Sequence, residues 1–240
     1  MKRVLSTVFA VLVLSSLSAQ EVPASLQSQT WLNHFAQEIL PYWDSTEALG
    51  VPYGNYPTHR GRDGRLVEET RRWPRMMGRQ IFVYSVAFML TGEAQYLQHA
   101  KAGVDWLVTY AWDQEYGGWF GIIHADGSPS SIRAPKYAQD MAYAAQGLAA
   151  YFFVTRDPLA EEYLLKTYKV IRETMWDEQN NRVWDGINRE MTREVDQSGG
   201  GWELVAILDQ INAYMMLSQP FLTEADNREA WKDSLLLLSL

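Results

Sequence analysis

Three polar side chains stand where their neighbours give them unusual surroundings. Asp209 follows Leu204, Val205, Ile207 and Leu208, and a carboxylate on so apolar a helix is desolvated, which raises its pKa and lets it carry a proton. The alternative is an aspartate neutralised by an arginine across the fold. Arg79 keeps its charge at any relevant pH and donates through a planar fork that suits a carbonyl or two vicinal hydroxyls. A solvated arginine at a helix end, like its neighbours Arg71, Arg72 and Arg75, is the plainer reading. Tyr137 offers a phenol that donates a hydrogen bond while its ring packs, although with 13 tyrosines in the chain most have structural places. His34 and His99 fall within helices, and His59 and His124 fall in loops beside Arg60 and Asp126. His124 follows a Gly-Gly-Trp-Phe loop within reach of a cleft. No second histidine or paired carboxylate stands at ligand spacing beside it, so the sequence indicates no metal site and no cofactor.

The chain that positions these groups has 240 residues, 47% apolar and 13% aromatic, enough for one sizeable core. Its 21 basic and 29 acidic residues leave a net charge of −8, which supplies no diffuse attraction for phosphate, so nucleic acid is not an expected partner. The absence of cysteine excludes disulfides, thiolate metal sites and cysteine nucleophiles. At the N-terminus, Lys2 and Arg3 precede an apolar stretch from Val4 to Leu14 and the small residues up to Ala19. That is the pattern of a secretory signal, and it is too short for the roughly 20 residues that span a bilayer. Residues 1–19 are expected to be cleaved, leaving residues 20–240 as a periplasmic or secreted domain with no membrane attachment.

Along the mature chain, apolar residues recur at helical spacing from Ser28 to Tyr42, from Trp73 to Leu90, and from Tyr96 through Leu107. The last two are joined at Thr91-Gly92-Glu93 as a hairpin. The same grammar repeats. Trp112-Asp113 returns as Trp176-Asp177, 64 positions on, and Thr91 returns as Thr155 at the same interval. Helices through Met141 to Phe153 and Leu159 to Met175 make a second hairpin, and Trp202 to Leu217 with Asn227 onward make a third. An array of helical hairpins with long aromatic loops on one side fits an all-α fold. Between an open solenoid and a closed (α/α) toroid, the loop length favours the toroid, because a substrate cleft needs loops gathered at one end.

Arg79 heading Ile81-Phe82-Val83-Tyr84-Ser85, then Thr91-Gly92-Glu93, Tyr96-Leu97, Asp113 and Gly117-Gly118-Trp119-Phe120, resembles the N-acylglucosamine 2-epimerase family, which includes cellobiose 2-epimerases and mannose isomerases. Lys136-Tyr137-Ala138-Gln139-Asp140-Met141-Ala142 is similar to that family's second inner-helix motif. The likeness covers most of Trp73 to Leu240. It implies a toroid of twelve helices in six hairpins with sugar bound at one end, of which this chain supplies about seven helices. It also implies an acid–base pair of two histidines in the second half of the barrel, which is not expected in this chain. Where the family's third inner helix commonly shows Met-His-x-x-Glu-Ala, this sequence reads Leu208-Asp209-Gln210-Ile211-Asn212-Ala213.

The implied reaction takes a proton from the carbon beside a sugar carbonyl, stabilises the enediolate and returns the proton to another face or carbon. In that reading Arg79 supplies the stabilising charge, Tyr137 a hydrogen bond and Asp209 the only local substitute for the family base, so the isolated chain is expected to show little epimerase activity. Trp119, Trp184 and Trp202, with His124, are the candidate sugar contacts, because a flat ring face matches the C–H face of a pyranose; closing each hairpin against its neighbour is their structural alternative. The expected partner is a small carbohydrate. Two other readings stay open: hydrolysis of glycosides or unsaturated uronides through paired carboxylates such as Asp113, Asp140 or Asp209, and a non-catalytic half-toroid that binds sugar. The apolar run Leu235 to Leu238 adds the expectation of self-association through an open C-terminal edge.

Overall fold

The computed structural model describes residues 23–67, 70–131, 134–192 and 204–239. The segment 1–19, expected to be a signal, and Trp202 lie outside them. The chain divides into two compact units, residues 1–41 and 42–240. In the first, a short 3-10 turn (Ala24–Leu26) precedes α1 (Ser28–His34), which continues as a π-helical turn through Phe35–Ile39.

The second unit is built from helical hairpins. Pro74 opens α2 (Pro74–Thr91), a position where its missing N–H is no loss. The helix ends at Gly92, which takes the left-handed conformation at φ 75°, and α3 (Ala94–Tyr110) returns antiparallel. α4 (Ala138–Thr155) and α5 (Pro158–Val170) repeat the pattern, α5 running on as a π-helical turn through Ile171–Met175. α6 (Leu204–Asp209) continues through a π-helical stretch (Gln210–Met215), and α7 (Ala225–Leu238) follows.

The two turns are chemically equivalent. Thr91 Oγ1 donates to the Ala87 carbonyl at 2.8 Å and accepts from Glu93 N at 3.1 Å. Thr155 Oγ1 donates to the Tyr151 carbonyl at 2.7 Å and accepts from Asp157 N at 3.2 Å. The repeated Trp-Asp pairs are equivalent too. Asp113 Oδ1 accepts from the backbone of Glu115 and Tyr116, and Asp177 Oδ1 from that of Gln179 and Asn180, so each aspartate folds its loop back as an Asx turn.

Packing sorts the helices into two layers. α2, α4 and the α6 stretch pack side by side as inner helices, with α3 against α2 and α5 against α4 outside them. This is the arrangement of an (α/α) toroid. α4 is central: Ala138, Ala142, Ala144, Ala145, Ala149 and Ala150 are all fully buried, as expected of a helix covered on every side. Small residues let it approach α2 closely. A β-carbon added at Gly78 would lie 2.1 Å from the Tyr143 carbonyl oxygen, and one at Gly147 would lie 2.4 Å from the Gly78 oxygen. The strands among the described residues are two-residue antiparallel pairs in the loops: Arg71–Arg72 with Ile123–His124, Lys136–Tyr137 with Gly186–Ile187, and Trp176–Asp177 with Arg182–Val183.

Candidate active site

The contact between α2 and α4 fixes the first two members of the site. One residue after Gly78, the Arg79 guanidinium sits 3.9 Å from the centre of the Tyr143 ring and donates to Met76 Sδ at 3.0 Å. α4 then packs on α6, which sets Asp209 beside Tyr143 and Gln139. Those two α4 residues are four apart and therefore share one helix face.

Asp209 is 7% exposed and its Oδ2 has no hydrogen-bond partner. Burial pushes its carboxyl above the usual carboxylate range, against the lowering effects of the Tyr143 hydroxyl, the Arg79 charge and Gln139. Arg79 thus acts on Asp209 through space, and among the described residues no direct ion pair neutralises it. The result is a desolvated carboxyl, a fixed cation and a phenol held together by three inner helices.

A second carboxyl lies on the next α4 position. Asp140 accepts from Arg75 Nη1 at 3.0 Å, and Arg75 also donates to Gln139 Oε1 at 3.2 Å. Burial raises the Asp140 pKa, with the Asp185 charge adding to it and Arg75 and Arg79 opposing. Gly121 makes room for this carboxylate, since a β-carbon there would lie 2.9 Å from Asp140 Oδ2.

The loops above this end are tied by a buried ion cluster. Lys136 Nζ meets Asp113 Oδ2 at 2.8 Å and also donates to the Gly117 carbonyl. Arg189 donates through Nε to Asp113 Oδ2 at 2.8 Å and through Nη2 to Glu115 at 3.0 Å. Burial alone pushes Asp113 up, but the hydrogen bonds from Arg189 and Lys136 hold its carboxyl below the usual range. A cavity of about 130 Å³ opens beside Arg79, with Trp43, Thr58, Arg60, Met76 and Gln80 in its walls.

Of the catalytic residues expected from sequence, Arg79 and Asp209 come together and Tyr137 does not join them. Tyr137 precedes α4 and its ring lies over Gly186, where a β-carbon would be 3.1 Å from the ring edge. The phenol that meets Asp209 is Tyr143. The expectation for Trp119 is corrected. It is fully buried, Nε1 donates to Thr167 Oγ1 at 2.8 Å, and its ring packs on Trp112 and Tyr163, so it closes its hairpin and offers no face to a sugar. Trp184 is half-buried in the loop after α5, with its backbone N–H on the Met175 carbonyl at 2.8 Å. His124 pairs with Arg71 and borders a depression formed with Thr70, Ala125 and Asp126, which neither Arg79 nor Asp209 lines. Tyr143, Gln139 and Arg75 were not singled out in the sequence; the available signal was the four-residue interval from Gln139 to Tyr143.

The family model for N-acylglucosamine 2-epimerase matches residues 56–199. Cellobiose 2-epimerase of Bacteroides fragilis is 25% identical over 158 residues, which cover 66% of this chain and 40% of that protein. The structure of cellobiose 2-epimerase from Bacillus thermoamylovorans superposes with a TM-score of 0.73 at 24% identity, covering 88% of this chain and 54% of that one. That of a D-mannose isomerase gives 0.72 at 17% identity, covering 88% and 52%. The chain therefore spans about half the length of its structural relatives, and less of the first curated one. Because the match to the family model runs through more than half of its residues, this chain belongs to the N-acylglucosamine 2-epimerase family.

Proposed function

We propose that this chain carries the Arg79, Tyr143 and Asp209 portion of a carbohydrate epimerase or isomerase site that moves a proton beside a sugar carbonyl. Asp209 carries the reading, as a carboxylate with one unpartnered oxygen, raised in pKa and set next to a permanent cation. In the proposed step, Asp209 Oδ2 takes the proton from the carbon next to the carbonyl. The C–H electron pair forms the C–C double bond of the enediolate, and the carbonyl electrons move onto oxygen, where Arg79 stabilises the charge. Return of the proton to the same carbon on the other face gives an epimer, and return to the former carbonyl carbon, with the neighbouring hydroxyl proton passing to the former carbonyl oxygen as the new carbonyl forms, gives the aldose–ketose pair. Cellobiose and mannose are the first sugars to test, because the relatives are named for a cellobiose epimerase and a mannose isomerase.

The experiment is solvent exchange at C2. The 240-residue protein is incubated in deuterated water with cellobiose, mannose or N-acetylmannosamine and followed by NMR. Deuterium entering C2 of one of these sugars, with the rate falling roughly 10²- to 10⁴-fold in Asp209→Asn, supports the reading. One base suffices for exchange and two are needed for efficient inversion, so exchange is expected to outrun epimer accumulation. No exchange above buffer overturns it.

Residues 1–19 are proposed as an export signal, on the strength of Lys2, Arg3 and the apolar stretch that follows. N-terminal sequencing of the protein recovered outside the cytoplasm tests this. The exposed Leu236 and Leu237 of α7 support association with a second copy, which sedimentation would detect.

A further inference from the structure

We infer that Arg75 is a positioning residue for Asp209: from α2 it holds the side-chain oxygen of Gln139 and so turns the N–H groups of that amide toward α6 and its carboxyl. This role rests on the reading of Asp209 as the proton-carrying group of a sugar site, and adds to it the residue that fixes one of the donors acting on that carboxyl.

The contact between α2 and α4 is a ladder with two rungs. Arg75 and Arg79 stand four residues apart on α2, and Gln139 and Tyr143 stand four apart on α4, so each pair shares one helix face, one turn apart. On one rung the Arg79 guanidinium lies 3.9 Å from the centre of the Tyr143 ring. On the other, one turn nearer the helix starts, Arg75 Nη1 donates to Gln139 Oε1 at 3.2 Å. Both rungs converge on the third inner helix. The Tyr143 hydroxyl and the Gln139 side chain each oppose the rise that burial causes in the Asp209 pKa, and α4 packs directly on α6.

What each partner can do fixes the direction of the amide. A guanidinium has donors only, so the Gln139 atom facing Arg75 is the oxygen, and the N–H groups are left on the other branch. An ionised carboxyl accepts only, so the Gln139 group that favours its charged form is that nitrogen. An amide turned over would set N–H groups against the guanidinium and its oxygen against the carboxylate, which is unfavourable at both ends. Arg75 is itself well held. The same Nη1 donates to Asp140 Oδ1 at 3.0 Å, and the guanidinium lies 4.7 Å from the Trp73 ring centre. Asp140 is buried and follows Gln139 directly on α4, so one nitrogen grips two successive side chains of that helix. A salt bridge to Asp140 explains the first bond and leaves the second, to Gln139, without a purpose unless the amide is to be aimed. With the α4 groups in place, Asp209 Oδ2 still has no hydrogen-bond partner and is the oxygen open to a proton.

The test is carboxyl NMR titration of Asp209 in the 240-residue protein, with the pH profile of C2 exchange measured alongside. Losing a donor that favours the charged form raises a carboxyl pKa, so Arg75→Met is expected to move the Asp209 midpoint, and the acid limb of exchange, to higher pH. Gln139→Met is expected to move both the same way. Adding Arg75→Met to it is expected to move them no further, because Arg79 is the cation that acts on Asp209 through space. Arg75→Lys keeps a charged donor and is expected to recover part of the wild-type midpoint. Arg75→Met strands the Asp140 carboxylate, so the double variant Arg75→Met with Asp140→Asn repeats the measurement without that charge. An Asp209 midpoint unmoved in that folded variant, the result of a merely structural salt bridge, overturns the positioning role. So does an Arg75→Met shift that adds in full to that of Gln139→Met. The titration needs no turnover, which separates the two readings. C2 exchange lost in Asp209→Asn with the midpoint unmoved by Arg75→Met sinks the positioning role alone, whereas a midpoint moved as expected in a protein without exchange sinks the sugar reading alone.

Discussion

The Arg79 guanidinium stands 3.9 Å from the centre of the Tyr143 ring, and the hydroxyl of that same ring opposes the rise that burial causes in the Asp209 pKa. One side chain therefore packs on the cation by its face and acts on the carboxyl through its hydroxyl. Tyr143→Phe separates the two roles. It keeps the ring, and with it a cation–π contact worth about 0.5–2 kcal/mol, but removes the hydroxyl whose effect lowers the Asp209 pKa. The expected outcome is an Asp209 pKa higher than in the wild type, read by carboxyl NMR titration. An unchanged or lower value contradicts the placement of the hydroxyl.

Asp209 itself lowers stability at neutral pH. Its folded pKa is raised above the ordinary value of 3.8, so the folded state binds the proton more tightly. Stability then falls as the pH rises from the ordinary value through the raised one. Asp209→Asn is expected to raise the Tm at neutral pH, with the difference vanishing below about pH 3.8. Melting curves of the two proteins across that range check the sign; a lower Tm for the variant at neutral pH contradicts it.

Asp113 behaves oppositely. Its pKa is held below 3.8 by Arg189 and Lys136, so the stability it contributes is present above the ordinary value and is lost as the pH falls through the lowered one. Lys136→Met leaves a buried carboxylate with only Arg189 as its full-charge partner in the core of the cluster. A loss of about 3 kcal/mol is expected, at the low end for a broken buried pair because Arg189 remains. Urea unfolding at neutral pH measures it, and a loss below about 1 kcal/mol, the range of a surface pair, would contradict a buried cluster.

Gly78→Ala tests the close approach of α2 and α4. The new methyl would fall 2.1 Å from the Tyr143 carbonyl, where backbone rather than a flexible side-chain end must move. Overpacking of this kind costs about 1–3 kcal/mol. Because the displaced residue is Tyr143, C2 exchange is expected to fall along with stability. Full activity in a folded Gly78→Ala protein would show that Tyr143 does not need its position.

The hairpins could be read from sequence because their signals are local. A threonine that caps its own helix end, as Thr91 and Thr155 do, needs only its neighbours four back and two ahead. The Trp-Asp pairs likewise fold their own loops. Asp209 was legible as a buried carboxyl but not for the reason the sequence offered: Leu204, Val205 and Leu208 are exposed, and it is the packing on α4 that desolvates Asp209. What escaped depends on partners distant in the chain. Trp119 looks like a loop aromatic until Thr167, 48 residues on, accepts its N–H and buries it. Tyr137 lies within the α4 motif and Tyr143 directly follows it, and the choice between them is made by Gly78 and Gly147, which bring α2 onto the Tyr143 turn. The clamp on Asp113 by Arg189 spans 76 residues, and no spacing within the sequence reveals it.

The central claim is that Arg79 and Asp209 act as one unit on one substrate. A double-mutant cycle in the C2-exchange assay tests it most directly, with wild type, Arg79→Gln, Asp209→Asn and the double variant compared under the same conditions. Groups that serve one transition state are strongly non-additive. The account expects Asp209→Asn to abolish most of the exchange and the added Arg79→Gln to cost little more. Losses that multiply independently, or an Asp209→Asn protein that exchanges at the wild-type rate, would contradict it.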